Sequence, residues 1–161
     1  MKVSREDIIN LTKTCIPFQT MVIISSDKHF YEQLLKNINE QFIKNNEKTE
    51  PPHIFVINTS DNFLPPFYEN FTLTHGSILS PKEIHDGFCA FENKWHELSC
   101  GICKSLVNIK NKIPKQIDTL IVDTNDFISY FEYKKIIEQS NCKQQYFVES
   151  KNKISLFNNY E

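Results

Sequence analysis

Glycine is almost absent: Gly76, Gly87 and Gly101 are the only three among 161 residues. A loop that cradles nucleotide phosphates needs several glycines, so that backbone N–H groups close around the anion, followed by a lysine and a hydroxyl residue. None of the three precedes a Lys-Ser or Lys-Thr pair at the required distance, which excludes a cradle of that kind. An excess of basic charge is missing too. A formal net charge of -2 removes the simplest argument for a stand-alone nucleic-acid binder and leaves only a local basic patch. No apolar run approaches the ~20 residues that span a bilayer. Residues 1–7 carry acids and helix-start residues where a secretory leader has a basic region and an apolar stretch. The five cysteines, Cys15, Cys89, Cys100, Cys103 and Cys142, are an odd set, and three of them crowd one predicted helix. That favours a reducing compartment over a disulfide framework. These absences predict a soluble, intracellular protein without membrane contact.

The apolar content is enough for one real core: 40% of residues are hydrophobic, and thirteen phenylalanines supply area that a disordered chain lacks. Ser4, with Asp7 three residues on, caps a first short helix whose apolar side is Ile8, Ile9 and Leu11, and Pro17 ends it. Thr20-Met21-Val22-Ile23-Ile24-Ser25-Ser26 is a continuous apolar run bounded by hydroxyls, the pattern of a strand buried on both faces. Residues 27–45 place Phe30, Tyr31, Leu34, Leu35, Ile38 and Phe42 at helical spacing. After a linker, His53-Ile54-Phe55-Val56-Ile57-Asn58 repeats the buried-strand pattern, so a parallel strand–helix–strand unit with a right-handed crossover is expected. Ser80-Pro81-Lys82-Glu83 combines a cap, a first-turn proline and a third-position glutamate, which starts a long helix predicted to reach about Lys112. Leu120-Ile121-Val122 is a third buried strand, followed by a helix near residues 127–138. Gln145-Tyr146-Phe147-Val148 and Ile154-Ser155-Leu156-Phe157 are expected to pair as a hairpin around residues 150–153. The expected fold is a single three-layer α/β domain, a mostly parallel sheet flanked by helices, with a C-terminal β-hairpin.

Ligands of open α/β sheets bind where strands end at their carboxyl edge, because loop N–H groups and helix N-termini gather there. The residues so placed are Ser25, Ser26 and Asp27, then Asn58, Thr59 and Asp61, and finally Asp123, Thr124 and Asp126. Asp123 ends an apolar strand as a magnesium-holding acid does in triphosphatases, so Ser26, Asp27 and Asp123 are the cofactor candidates. The alternative is that these acids only cap the helices that follow, and no cofactor is expected. His96, Cys100 and Cys103, with Cys89, have one-turn spacing for a metal, but a single helix presents ligands from one side and a tetrahedral ion must be surrounded. Lys110, Lys112, Lys115, Lys151 and Lys153 are candidates for phosphate contact with DNA, against the default of solvated lysines. Phe63, Leu64, Phe67 and Tyr68, stiffened by Pro65 and Pro66, carry more apolar surface than a solvated loop needs and are the candidate anchor for a protein partner.

The segments His53-Ile54-Phe55-Val56-Ile57-Asn58-Thr59-Ser60-Asp61-Asn62-Phe63, the long helix, and Ile117-Asp118-Thr119-Leu120-Ile121-Val122-Asp123 followed by Phe127 resemble, in that order, the RecA-like core of recombinase paralogues. They are most similar to the small non-catalytic subunits of the yeast Shu recombination complex, and Ser25-Ser26-Asp27-Lys28-His29 stands where a working phosphate loop would be. The likeness covers residues 53–131. It implies a RecA-like or Rossmann-like fold, a nuclear non-catalytic subunit of a DNA-repair or homologous-recombination complex, assembly with a sister α/β subunit, and DNA binding by the pair. The alternative is a small nucleotide-binding protein or enzyme that uses Asp123 and the turn from Ser25 to Asp27.

Overall fold

A computed structural model describes residues 2–14, 20–45, 51–57, 71–79, 83, 108–125 and 127–149. Among the described residues there are six strands: β1 (Lys2–Ser4), β2 (Thr20–Ile24), β3 (His53–Ile57), β4 (Thr72–Gly76), β5 (Gln116–Asp123) and β6 (Asn141–Glu149). Three α-helices are described over their length: α1 (Arg5–Thr14), α2 (Lys28–Asn45) and α3 (Phe127–Gln139).

Alternation of side chains along each strand sorts the apolar residues into two layers. In β2, Met21 and Ile23 pack on one side of the sheet and Val22 and Ile24 on the other; in β3, Ile54 and Val56 oppose Phe55 and Ile57 in the same way. The first side is covered by α1 and α2 through Ile8, Phe30, Tyr31, Leu34, Leu35 and Ile38. The second is covered by α3 through Tyr130 and Ile136, together with Ile78, Ile109 and Ile113. A strand sandwiched between helices has no solvent face, which is why the central runs read as continuous rather than alternating hydrophobicity. Full burial of each such isoleucine contributes about 1.5–3 kcal/mol.

Every strand is parallel to its neighbours, in the order β1-β6-β5-β2-β3-β4. From β2 the chain steps outward to β3 and β4, then returns to lay β5 against the other side of β2 and β6 beyond it. The direction of winding reverses between β2 and β5, and loops leaving the carboxyl ends of those two strands part to form a crevice there. Helix α1 is bound to α2 by polar contacts within the first layer: the Asn37 amide donates to the Ile9 carbonyl at 3.2 Å and to Thr12 Oγ1 at 3.1 Å.

Two sequence expectations change, and two strands are new. The C-terminal β-hairpin is not formed: β6 is a parallel strand between β5 and β1, and β1 occupies the edge of β6 from Phe147 to Glu149, where a returning strand would have to start pairing. Residues 154–157 lie outside the described residues. The long helix does not run to Lys112, because Asn108 bridges Ser77 and Lys110–Lys112 is a single 3-10 turn; of its body only Glu83 is described, and it is helical. The edge strands β1 and β4 were not anticipated. No helix among the described residues is long and apolar enough to cross a membrane.

Candidate functional site

The crevice between β2 and β5 is built by two strand exits and one arginine from α1. After β2, Ser25 N–H donates to the Ile57 carbonyl at 3.1 Å, which keeps the chain in register for one residue more before it turns. Asp27 then caps α2, with Oδ1 accepting from Phe30 N–H at 3.2 Å. Ser25 Oγ accepts from Asp27 N–H at 3.0 Å and donates to Asp123 Oδ2, also at 3.0 Å, so the two exits are joined through one hydroxyl. After β5, Thr124 is held to β6 by its N–H and hydroxyl, which donate to the Val148 carbonyl at 3.0 and 2.7 Å. Asn125 folds back, giving its N–H and its side-chain amide to Asp123 Oδ1 at 3.0 and 2.7 Å.

Arg5 enters from α1. A reciprocal capping box sets the start of that helix: Asp7 N–H donates to Ser4 Oγ at 3.1 Å and Ser4 N–H to Asp7 Oδ2 at 3.2 Å. Arg5 follows the cap directly. Its Nη2 donates to Asp123 Oδ2 at 2.8 Å, its Nη1 donates to Asp27 Oδ2, and its guanidinium carbon lies 5.2 Å from the centroid of the Phe30 ring. One planar group therefore clamps both strand exits.

Asp123 is 2% exposed and accepts four hydrogen bonds, two at each oxygen, from Arg5, Ser25 and Asn125. An ionised carboxylate has about four lone-pair sites, so none remains for a metal or its bound water. The helix N-terminus where a phosphate would lodge is likewise taken, since the carboxylate of Asp27 sits on it. Burial opposes ionisation of Asp27, but the hydrogen bonds from Phe30 and Arg5, the charge of Arg5 and the His29 N–H together outweigh it and hold the carboxyl below its ordinary range. Burial pulls on Arg5 as well, and the charges of Asp123 and Asp27 more than offset it, raising its pKa. Two carboxylates against one guanidinium leave the surroundings without the excess of positive charge that would draw in a phosphate.

Of the sequence candidates, Ser25, Asp27, Asp123 and Thr124 converge on this crevice, and Ser26 lies half-buried in the turn between them. Arg5 was missed. Its available signal was electrostatic: a cation in the first turn opposes the helix dipole and calls for compensation elsewhere. Lys110, Lys112 and Lys115 are exposed and lead into the amino end of β5, the end opposite Asp123. Lys143 is exposed on the neighbouring strand, 3.3 Å from Asp118. Asn58, Thr59, Asp61, Asp126, Phe63, Leu64, Phe67, Tyr68, Cys89, His96, Cys100, Cys103, Lys151 and Lys153 lie outside the described residues. Among the described residues no group of three or more His, Cys, Asp or Glu could hold a metal. Cys142 is the one cysteine among them, and burial pushes its thiol up to about 11, the reverse of what a nucleophile needs.

A second buried carboxylate serves the other layer. Glu132 of α3 is fully buried, with its Oε1 accepting from the Ser77 hydroxyl and its Oε2 from Ile78 N–H at 3.1 Å. The same Ser77 hydroxyl accepts from Leu79 N–H at 3.1 Å, and its carbonyl accepts from Ile109 N–H at 2.8 Å. This hub fixes where the chain leaves β4 and crosses under α3.

No family profile, curated protein or solved structure matches the chain. Its fold and site define an all-parallel α/β protein whose strand-end crevice is filled by its own arginine.

Proposed function

We propose that the protein is a non-catalytic α/β subunit of a DNA-repair or homologous-recombination assembly, located in the nucleus, acting through contacts with a sister α/β subunit and touching DNA as part of that pair. The observation that carries the non-catalytic part is the crevice. Asp123, the sequence's weak candidate for magnesium, has all its acceptor capacity engaged by Arg5, Ser25 and Asn125, and the α2 N-terminus is capped by Asp27. The finer fold in this proposal is Rossmann-like: counted from β2, the five strands other than β1 run 3-2-1-4-5, the order of doubly wound nucleotide-binding sheets. On this reading the nucleotide-binding frame persists, while the pocket has been converted into a structural joint. The recombination assignment rests on the resemblance of residues 53–131.

The test has two arms. Affinity purification of the full chain from its source cells, followed by mass spectrometry and mass determination of the complex, is expected to return an α/β protein of similar size in fixed stoichiometry. Recovery of a monomer with no stable partner overturns the assembly. Calorimetry with ATP and magnesium is expected to show no binding. Binding that disappears in Asp123→Asn replaces the proposal with the small nucleotide-binding protein or enzyme.

A further inference from the structure

We propose that the switch-point crevice is a guanidinium-recognition site, and that Arg5 is its built-in ligand. The inference concerns what the crevice selects, and stands independently of the assembly proposed above.

A guanidinium group is seated in the crevice, and the features of the site match that group in two ways. Its two terminal nitrogens each meet a carboxylate from a different strand exit, Asp123 after β5 and Asp27 after β2. A planar fork spans such a pair with two donors fixed in direction, whereas an ammonium is a compact, strongly hydrated point charge whose three donors have no preset geometry. The ring of Phe30, on α2, lies 5.2 Å from the guanidinium carbon, a cation–π distance and a contact separate from the hydrogen bonds. Arg5 Nε is shielded from water and has no hydrogen-bond partner among the described residues. The hydrogen-bonded grip is therefore on the two terminal nitrogens, the part that a small alkylguanidinium reproduces without the rest of the side chain.

The pocket walls are preorganised without Arg5. Ser25 is buried and holds Asp123 Oδ2 from below, while Asn125 fixes Oδ1 from the loop and the Phe30 N–H fixes Asp27 Oδ1. Both carboxylates keep their orientation through partners that do not belong to α1. Removing the arginine side chain is therefore expected to leave the two carboxylates oriented around an empty cationic position, while the β1–α1 segment stays attached through its pairing with β6 and the Asn37 contacts with α2.

Thermal unfolding of the full-length protein tests this. Arg5→Ala is expected to melt below the wild type, and millimolar ethylguanidinium is expected to raise its melting temperature in a saturable manner while leaving the wild type unchanged. Ethylammonium at the same concentration is expected to restore much less, and the double variant Arg5→Ala/Asp123→Asn is expected to show no rescue. Equal rescue by the two cations, rescue that survives loss of Asp123, an equal rise in the wild type, or an Arg5→Ala protein that melts with the wild type would each overturn the proposal. Should Arg5→Ala fail to fold, Arg5→Lys decides the same question: a melting temperature clearly below the wild type supports a guanidinium-selective socket, and one equal to it refutes it.

Discussion

Asp123 and Asp27 hold the same guanidinium, yet they differ in burial, 2% against 33% of the side chain exposed, and the difference sets what each contributes. Removing Asp123 leaves the buried Ser25 hydroxyl without its acceptor and takes one carboxylate from the partly exposed Arg5, so Asp123→Ala is expected to lose about 2–3 kcal/mol. Asp27→Ala removes a cap and a partly solvated ion pair and is expected to lose about 1 kcal/mol. Urea unfolding of the two variants side by side checks the contrast; equal losses would mean that the buried network is not what holds Asp123. The pH dependence of the Asp27 contribution follows from its lowered pKa: it is complete above the unfolded carboxyl value of about 3.9 and is lost as the pH falls through the lower folded value. At this scale the site was half visible in the sequence. Strand-end position singles out Ser26, Asp27 and Asp123, but Arg5 lies 22 and 118 residues from its partners, and no local pattern joins residues so far apart.

Elements were legible where burial is two-sided or the helical stripe is strong. The strands β2, β3 and β5 and the helices α1, α2 and α3 stand where apolar runs and spacing place them, because each buries enough side chain for its pattern to be unambiguous. The strand β4 escaped notice because Leu73 is its one large aliphatic residue, and β1 because three residues pairing with one neighbour carry no period. Both are outermost in the sheet, where short and weakly apolar strands are the rule. The expected hairpin failed for a topological reason: a turn signal after β6 says nothing about β1, which arrives from the far end of the chain to take that edge. The helix-start signal at Ser4 is realised as a cap, and its two reciprocal hydrogen bonds give it a measurable value. Ser4→Ala is expected to cost about 1 kcal/mol, read as a drop in the urea midpoint without a change in slope. An unchanged midpoint would show that β1 pairing alone fixes the start of α1.

For the molecule as a whole, acid should act first through histidine. Burial lowers the pKa of His75 from 6.5 to about 4 and moves His53 in the same direction. Between those values the unfolded chain binds the proton and the folded one does not, so stability falls as the pH is lowered from 6.5 toward 4. Melting temperatures measured across that window should decline, and His75→Gln should flatten the decline; a slope identical to the wild type would remove His75 as its source. The sheet's connectivity also bears on how the chain reaches this state. Lys2 of β1 lies opposite Phe147 of β6, and the contacts of Thr20 and Ser25 with β5 span 98 residues. Pairings so distant along the chain come with a large loop-closure entropy and slow folding. On a ribosome, β1 and β2 emerge long before β5 and β6 exist, so the flank of β2 that later receives β5 stays uncovered through most of synthesis. That interval, more than the finished fold, is when the protein is most exposed to aggregation and most dependent on chaperones.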